Sequence, residues 1–371
     1  MTSQEPFEIF LVAPPGLEAV LAAEVAARGF PDPVVTPGGV LIQGGWPEVW
    51  RANLEIRGAS RVLARVASFR AFHLAQLDKR ARRVAWGTFL RPDVPVRVEA
   101  TCKGSRIYHA GAAAQRIGRA ITEELGAPLK DDAPLCLKAR LDDDLCTVSI
   151  DTSGEPLHRR LHKEAVAKAP LRETLAALFL RLAGYDGQEP LVDPMCGSGT
   201  FVIEAAEIAA GLAPGRSRPF AFQQLASFDP VIWKSLRAAP LPPPPSPRFF
   251  GSDRDAGAIR MSQANAARAG VGDCTRFHQA PVSALEPPEG PPGLVMVNPP
   301  YGARIGDRKK LHALYHALGQ TLNARFSGWR VGLVTNDPAL VAATGLPFGP
   351  PAAVVSHGGL GVSLSVSRPL A

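Results

Sequence analysis

The feature that most constrains this chain is a grammar that recurs after residue 166. Short apolar runs stop at a polar residue and give way to a helix-length segment: LVDP (191–194), RFFGSD (248–253), LVMVNPP (294–300) and RVGLVTN (330–336). Short apolar runs of this kind, alternating with helices, predict a doubly wound, mostly parallel sheet covered on both faces. Such sheets bind ligands in the crevice outside the carboxyl ends of their strands. Every unusual polar motif in this part of the chain falls at one of those ends.

The first is Asp193-Pro194-Met195-Cys196-Gly197-Ser198-Gly199-Thr200, which leaves a strand and enters a helix containing Glu204-Ala205-Ala206. Gly197 and Gly199 permit a tight turn and let a ligand approach the backbone without a Cβ in the way. A dinucleotide site would require a third glycine, where Val202 stands, and the P-loop Lys-Ser/Thr is missing as well. A carboxylate placed before the glycines repels phosphates but can accept hydrogen bonds from the amino group of an amino-acid moiety. The second motif, Gly251-Ser252-Asp253-Arg254-Asp255, ends the next strand. A carboxylate there can accept from both ribose hydroxyls; Asp253 is the first choice and Asp255 the second, because Asp also caps helices.

The third motif, Asn298-Pro299-Pro300-Tyr301, follows the apolar strand LVMV. An exocyclic amine conjugated to a ring is a poor nucleophile because its lone pair is delocalised. The side-chain carbonyl of Asn298 and the backbone carbonyl of Pro299 can accept both amine hydrogens and favour a more pyramidal nitrogen. The prolines stiffen the loop that presents them. Tyr301 can stack on a base taken out of its helix. Chemistry of this kind needs no covalent enzyme intermediate.

The N-terminal half reads differently. FEIFL (7–11) is a strand, PPGLEAVLAAEVAARGF places Leu17, Val20, Leu21 and Val25 at helical spacing, and VVTPGGVLIQG is a hairpin around Pro-Gly-Gly. A helix with Trp46 to Asn53 and a strand over Arg61–Phe69 complete a βαββαβ order, which suggests a small ferredoxin-like α+β unit. A strand at 94–104, a helix at 108–125 and a hairpin over 134–151 with an acidic turn at Asp142–Asp144 follow. The expected domains are 1–65, a ferredoxin-like region; 66–160, a second α+β region; and 166–371, the doubly wound region. The stretch APLPPPPSP (239–247) reads as a stiff polyproline II connector.

Charge narrows the partner. The 371 residues carry 41 Lys+Arg against 34 Asp+Glu, a net +7, which suits a polyanion. The excess is spread over both halves, so a binding surface must come from local patches. Lys79, Arg80, Arg82 and Arg83 form one cluster, Lys103 and Arg106 follow a strand, and Arg304, Arg308, Lys309 and Lys310 follow the Asn-Pro-Pro-Tyr loop. No run approaches ~18 uninterrupted apolar residues, and the N-terminus does not read as a signal peptide, so a cytoplasmic protein without a membrane span is expected. The five cysteines are widely spread and show no zinc spacing, and the eight histidines form no triad, so no metal is expected.

The forms DPMCGSGT…EAA, GSDRD and VNPPYGARIGD resemble those of class I S-adenosylmethionine (AdoMet)-dependent methyltransferases that modify exocyclic amines. They are most similar to the THUMP-domain RNA methyltransferases, which include the bacterial large-subunit rRNA guanine-N2 methyltransferases. The likeness extends to PPGLEAVLAAEV, to Asn53-Leu54 with Arg57, to Ala59-Ser60-Arg61-Val62, and to APLRETLAA (169–177), which matches the family's pre-catalytic helix. The resemblance implies a Rossmann-like C-terminal domain behind an N-terminal ferredoxin-like and THUMP RNA-binding half. Asp193, Pro194, Cys196, Gly197, Ser198, Gly199 and Thr200 would then line the cofactor, with Asp253 and Asp255 at its ribose and Asn298, Pro299, Pro300 and Tyr301 at the target base. It implies rRNA as the substrate. Two departures stand out: Pro281 occupies the place of an acidic residue that contacts adenine, and LHRRLHKEAVAKAP lacks the Arg-Gly-Tyr that follows His-Arg in the family.

The leading reading is therefore guanine-N2 methylation of 23S rRNA. Adenine-N6 methylation of DNA or RNA uses the same loop chemistry, as does methylation of a protein glutamine. A non-catalytic RNA-binding assembly factor is the alternative of another class.

Overall fold

The structure, a computed structural model, describes residues 6–164, 171–238, 240, 242–243, 245–246, 248–301, 308–357 and 360–371. The chain forms two compact units: residues 1–13, 22–157 and 218–239 in one, and 14–21, 158–217 and 240–371 in the other.

The N-terminal half runs β1 (Phe7–Val12), α1 (Glu18–Ala27), β2 (Val34–Thr36), β3 (Gly39–Gly44), α2 (Trp46–Glu55), β4 (Arg61–Arg70), α3 (Leu74–Ala81), β5 (Val96–Lys103), α4 (Ala110–Leu125), β6 (Leu135–Asp142) and β7 (Leu145–Asp151). Its seven strands make one sheet in the order β2-β3-β1-β4-β7-β6-β5. The first four, all antiparallel with α1 and α2 in the connections, form the ferredoxin-like arrangement expected from the βαββαβ order. The stretches 1–65 and 66–160 nevertheless share this sheet, because β4 is long enough to serve both. Its Arg61–Ala64 pair with β1, and Leu63–Arg70 pair with β7 around an irregularity between Arg65 and Ala67.

Local chemistry explains several boundaries. Gly38 takes φ +83° in the β2–β3 turn, a conformation that a side chain would disfavour. Asp143 and Asp144, at φ +49° and +59°, close the β6–β7 hairpin in the left-handed conformations that match strand twist. The acidic turn is thus an ordered hairpin, and Asp144 also accepts from the Arg106 backbone N–H at 2.7 Å. Helix α4 starts at His109, whose Nδ1 accepts from Ala112 N–H, and stops at Gly126 with φ +84°.

The first unit also takes in a segment from far along the chain. Trp50 of α2 stacks on Phe222 at 6.1 Å between ring centroids, and Phe222 meets Trp233 edge-on at 5.1 Å. Trp233 belongs to α7 (Pro230–Arg237), which Asp229 caps. Full burial of a ring such as Phe222 contributes about 1.5–3 kcal/mol. The Arg218 guanidinium donates to the carbonyls of Ser153, Glu155 and Pro156, fastening the entry of this excursion.

The second unit holds α5 (Glu173–Leu182), β8 (Leu191–Asp193), α6 (Thr200–Ala209), β9 (Phe249–Asp253), α8 (Ala256–Arg268), β10 (Thr275–Gln279), β11 (Leu294–Val297), α9 (Arg308–Arg325), β12 (Arg330–Thr335), α10 (Pro338–Ala343), β13 (Ala353–His357) and β14 (Leu360–Val366). The sheet order is β10-β9-β8-β11-β12-β14-β13. Strands β10 through β12 are parallel, and β14 is antiparallel to both of its neighbours. All four strands expected at 191–336 are present, β10 is the strand that precedes Pro281, and β13 and β14 were not anticipated. The chain steps from β8 outward to β9 and β10, then returns to β11 on the other side of β8. This reversal opens the crevice at the carboxyl end of β8. Of the polyproline stretch, residues 239, 241, 244 and 247 lie outside the described residues, and the remainder carries no helix or strand. Among the described residues no helix is long and apolar enough to cross a membrane.

Candidate active site

The crevice is built from the turns that leave β8, β9 and β11. After Asp193 the chain turns through Gly197 (φ +55°) and Gly199 (φ +84°) into α6. The two glycines serve different ends. A Cβ on Gly199 would come within 3.1 Å of Ser262 Oγ and 3.2 Å of Ile203 Cδ1, whereas one on Gly197 would meet nothing within 4 Å. Gly199 is needed for close packing; Gly197 leaves space bare at the mouth of the crevice. Helix α8 holds the turn from behind, with Ser262 Oγ donating to the Gly197 carbonyl (2.9 Å) and Asn265 Nδ2 to that of Ser198 (3.1 Å). Gly251 matters for the same kind of reason: a Cβ there would fall 2.6 Å from the Phe277 ring and 3.1 Å from Cys196 Cβ.

Two carboxylates flank the turn. Asp193 is buried, and one oxygen accepts from Met195 N–H at 3.1 Å. Desolvation, with a contribution from the nearby Asp253 charge, pushes its carboxyl up to about 8. A buried acid with no cationic partner among the described residues is poised to ionise against an incoming ammonium. Asp253 accepts from Gly197 N–H (3.1 Å) through one oxygen and from Asp255 N–H (2.9 Å) through the other, which fixes its plane and leaves each oxygen a further lone pair. Asp255 accepts from Gly257 N–H at 2.8 Å as the N-cap of α8. Cys196 is buried, with its thiol well above its ordinary range because of desolvation, and therefore protonated. Pro194, Ser198 and Thr200 lie in the same turn, and Thr200 Oγ1 accepts from Lys163 Nζ at 2.8 Å.

On the other side of β8, Asn298 leaves β11. Its Oδ1 is buried and has no hydrogen-bond partner among the described residues. An orphaned buried acceptor costs about 1–3 kcal/mol and marks a place where a donor belongs. Pro299 is buried, and the Pro300 carbonyl lies 3.3 Å from the hydroxyl of Tyr315 on α9. Tyr301 is half-buried against the core of β11, α9 and β12. The structure thus brings Asp193, the glycine turn, Asp253 and Asn298 to one edge of one sheet. Two features at this edge escaped sequence reasoning. Asn336, at the end of β12, carries a second buried Oδ1 without a partner among the described residues, and Tyr315 looks in sequence like any aromatic on an amphipathic helix.

The basic residues are distributed less simply. Lys79 and Arg83 are exposed and Arg80 half-exposed on and just after α3, but Arg82 is committed to Asp78, Glu123 and Glu124. Lys103 and Arg106 are exposed beyond β5, with the Arg106 guanidinium over the Phe72 ring. Arg308, Lys309 and Lys310 form the exposed first turn of α9, and Arg304 lies outside the described residues.

Several motif residues with a family likeness prove to be internal ties. Asn53 is buried, donating to Thr152 Oγ1 and accepting from Ser153 Oγ. The Arg57 and Gly58 backbone N–H groups donate to Glu24. Arg61 pairs with Asp151. In the segment that departs from the family pattern, Arg160 is buried and ion-paired with Glu204 and Glu207 of α6, and Lys163 lies 3.2 Å from Glu173. Pro281 begins a short 3-10 turn after β10 and caps nothing with its side chain. Among the described residues no group of three or more His, Cys, Asp or Glu side chains is placed to hold a metal.

Comparison with known proteins agrees with this fold. Residues 160–347 match the RMKL-like methyltransferase domain, and residues 8–63 match the RlmL ferredoxin-like domain. The chain is 32% identical over 343 residues to the Synechocystis protein slr0064, whose name describes an RNA methyltransferase, covering 89% of each. It is 36% identical over 364 residues to the ribosomal RNA large subunit methyltransferase K/L of Syntrophotalea carbinolica, covering 92% of this chain and 51% of that one. The chain therefore spans about half the length of that relative. The crystal structure of the methyltransferase SMU.472, complexed with SAH, superposes with a TM-score of 0.87 at 27% identity and covers 99% of both chains.

Proposed function

The chain belongs to the RMKL-like methyltransferase family, and on that premise we propose that it is an AdoMet-dependent RNA methyltransferase that modifies guanine N2 in large-subunit rRNA. The observation that carries the reading is the buried Oδ1 of Asn298, without a partner among the described residues, at the sheet edge that also bears Asp193 and the glycine turn.

The residues fit the cofactor. Asp193 offers a buried carboxylate to the ammonium of the methionine moiety, the bare space at Gly197 admits its backbone contacts, and Asp253 is oriented for a ribose diol. Bound AdoMet supplies an electrophilic methyl group. Asn298 Oδ1 accepts one hydrogen of the target amine and the Pro299 carbonyl the other, which returns lone-pair density to the nitrogen. Pro300 and the Tyr315 contact hold that loop rigid. Tyr301 bounds the base pocket, and the protonated Cys196 packs the turn without taking part as a nucleophile. In the N-terminal half, Lys79, Arg80, Arg83, Lys103 and Arg106 meet phosphates, as do Arg308, Lys309 and Lys310 beyond the catalytic loop. Arg82 and Asp255 serve structure: the first is spent on carboxylates, the second caps α8.

The test is transfer of a labelled methyl group from AdoMet to rRNA by the purified protein, followed by mass-spectrometric nucleoside analysis. N2-methylguanosine formed by the wild type, and lost in Asn298→Ala while RNA binding persists, supports the reading. N6-methyladenosine in its place would move the assignment to adenine, and an unmodified RNA would refute it.

A further inference from the structure

We infer that Asn336 is a specificity residue that selects guanine by accepting a hydrogen bond from the ring N1–H of the target base. The inference rests on the reading of the site given above and deepens it.

Strands β11 and β12 are adjacent and parallel, in a register that pairs Val297 with Leu333. Asn298 and Asn336 therefore leave the sheet at the same edge, from neighbouring strands. Both carry a buried side-chain carbonyl oxygen with no hydrogen-bond partner among the described residues. By that register Asn336 lies two residues beyond the position opposite Asn298, and two such acceptors at one sheet edge represent a repeated cost that folding alone does not require.

The backbone around Asn336 is held firmly. Thr335 is fully buried, its hydroxyl stands 3.3 Å from that of Tyr315, and its carbonyl accepts from Ser363 Oγ at 3.0 Å. Asp337 caps α10 by accepting from Ala339 N–H at 2.9 Å. Tyr315 also reaches the Pro300 carbonyl, so one side chain sets the spacing between the two Asn-bearing turns. Asn336 thus presents an acceptor with no partner among the described residues on a fixed stretch of backbone, the form a recognition group takes.

The chemistry of the base decides what two acceptors select. Guanine presents two adjacent donors, N2–H and N1–H, on one edge. Adenine presents a donor at N6 beside an acceptor at N1, which would oppose a second carbonyl oxygen. A site that hydrogen-bonds a donor discriminates strongly against an analogue lacking it, because the buried acceptor is then left unpaired.

The experiment compares kcat/KM for an rRNA fragment carrying guanine at the methylated position with one carrying 2-aminopurine, which keeps the 2-amino group but has no N1–H. The wild type is expected to prefer guanine by about tenfold to a hundredfold. In Asn336→Ala that ratio collapses towards one, while Asn336→Asp, which keeps an acceptor, retains it. Titration with AdoMet confirms that both variants are folded. A guanine preference in Asn336→Ala equal to that of the wild type, with N2 transfer intact, overturns this inference alone. A wild type that methylates no guanine amine overturns the functional reading and this inference with it.

Discussion

The hydroxyl of Tyr315 lies 3.3 Å from the carbonyl oxygen of Pro300. Tyr315 is itself fully buried, and its hydroxyl lies equally near that of Thr335. A single α9 side chain thus ties the loop after β11 to the end of β12. Tyr315→Phe removes that tie and keeps the ring. The expected outcome is a several-fold fall in kcat, with AdoMet affinity unchanged and stability reduced by about 1 kcal/mol. A fall in cofactor affinity of the same size would mean that Tyr315 acts through the whole crevice and not through this loop.

Asp193 makes the site sensitive to pH. Its carboxyl sits near 8 in the folded protein, above its ordinary value of 3.8. A raised carboxyl favours the folded state fully below pH ~4, and that contribution is lost as pH rises towards 8. The ligand-free protein should therefore lose stability across this window. A bound ammonium stabilises the carboxylate, so AdoMet affinity should climb by up to tenfold per pH unit over the upper part of the same window, with release of a proton on binding. Calorimetric titration in buffers of differing ionisation enthalpy reads both effects. In Asp193→Asn the proton release assigned to Asp193 should vanish and affinity should drop; an unaltered pH dependence would show that another group titrates.

The two glycines of the turn should respond oppositely to alanine. Gly199→Ala forces a Cβ against Ser262 and Ile203 at a left-handed position, and about 1–3 kcal/mol of stability should be lost. Gly197→Ala suffers only the left-handed penalty of about 1–2 kcal/mol, since its Cβ meets nothing. That Cβ nevertheless enters the space assigned to the cofactor. Thermal melts should rank Gly199→Ala as the less stable, and AdoMet titrations should show Gly197→Ala as a folded protein with weakened binding. Wild-type affinity in Gly197→Ala would place the ligand elsewhere.

How much of this was legible in the sequence depends on how local each signal is. The glycine turn, Asp253 and Asn298 were legible because short apolar strands ending at polar residues announce the carboxyl edge of a parallel sheet. The ferredoxin-like order was legible for a similar reason, since turn chemistry at Gly38 and helical spacing after Pro15 are written in neighbouring residues. What escaped reading depends on partners distant in the chain. Nothing near Trp50 announces Phe222, so the return of residues 218–239 to the first unit was hidden. Likewise Arg82 reads as one more cation in a basic cluster until α4 brings Glu123 and Glu124 to it. Asn336 and Tyr315 have no motif; only a buried atom without a partner, and a hydroxyl between two loops, single them out.

The buried cluster of Arg160, Glu204 and Glu207 shows where the segment before residue 165 spends its charge. Arg160 is 2% exposed and Glu207 0%, and Arg216 joins the group by donating to Glu207 at 2.6 Å. Since α6 begins at the glycine turn, Arg160 braces the helix that supports the cofactor side of the crevice. Arg160→Met takes one cation from Glu204 and Glu207, of which Glu207 keeps Arg216, and breaking a buried pair by removing one partner costs about 3–5 kcal/mol. Removing Arg160 and Glu204 together, with apolar residues of similar volume, should cost less than Arg160→Met alone, because one orphaned charge disappears with its partner. Denaturant unfolding of the two single variants and the double variant measures this coupling. Additive losses would show that Arg160 and Glu204 stabilise the unit independently, and a fully stable Arg160→Met would place its guanidinium outside the framework of the site.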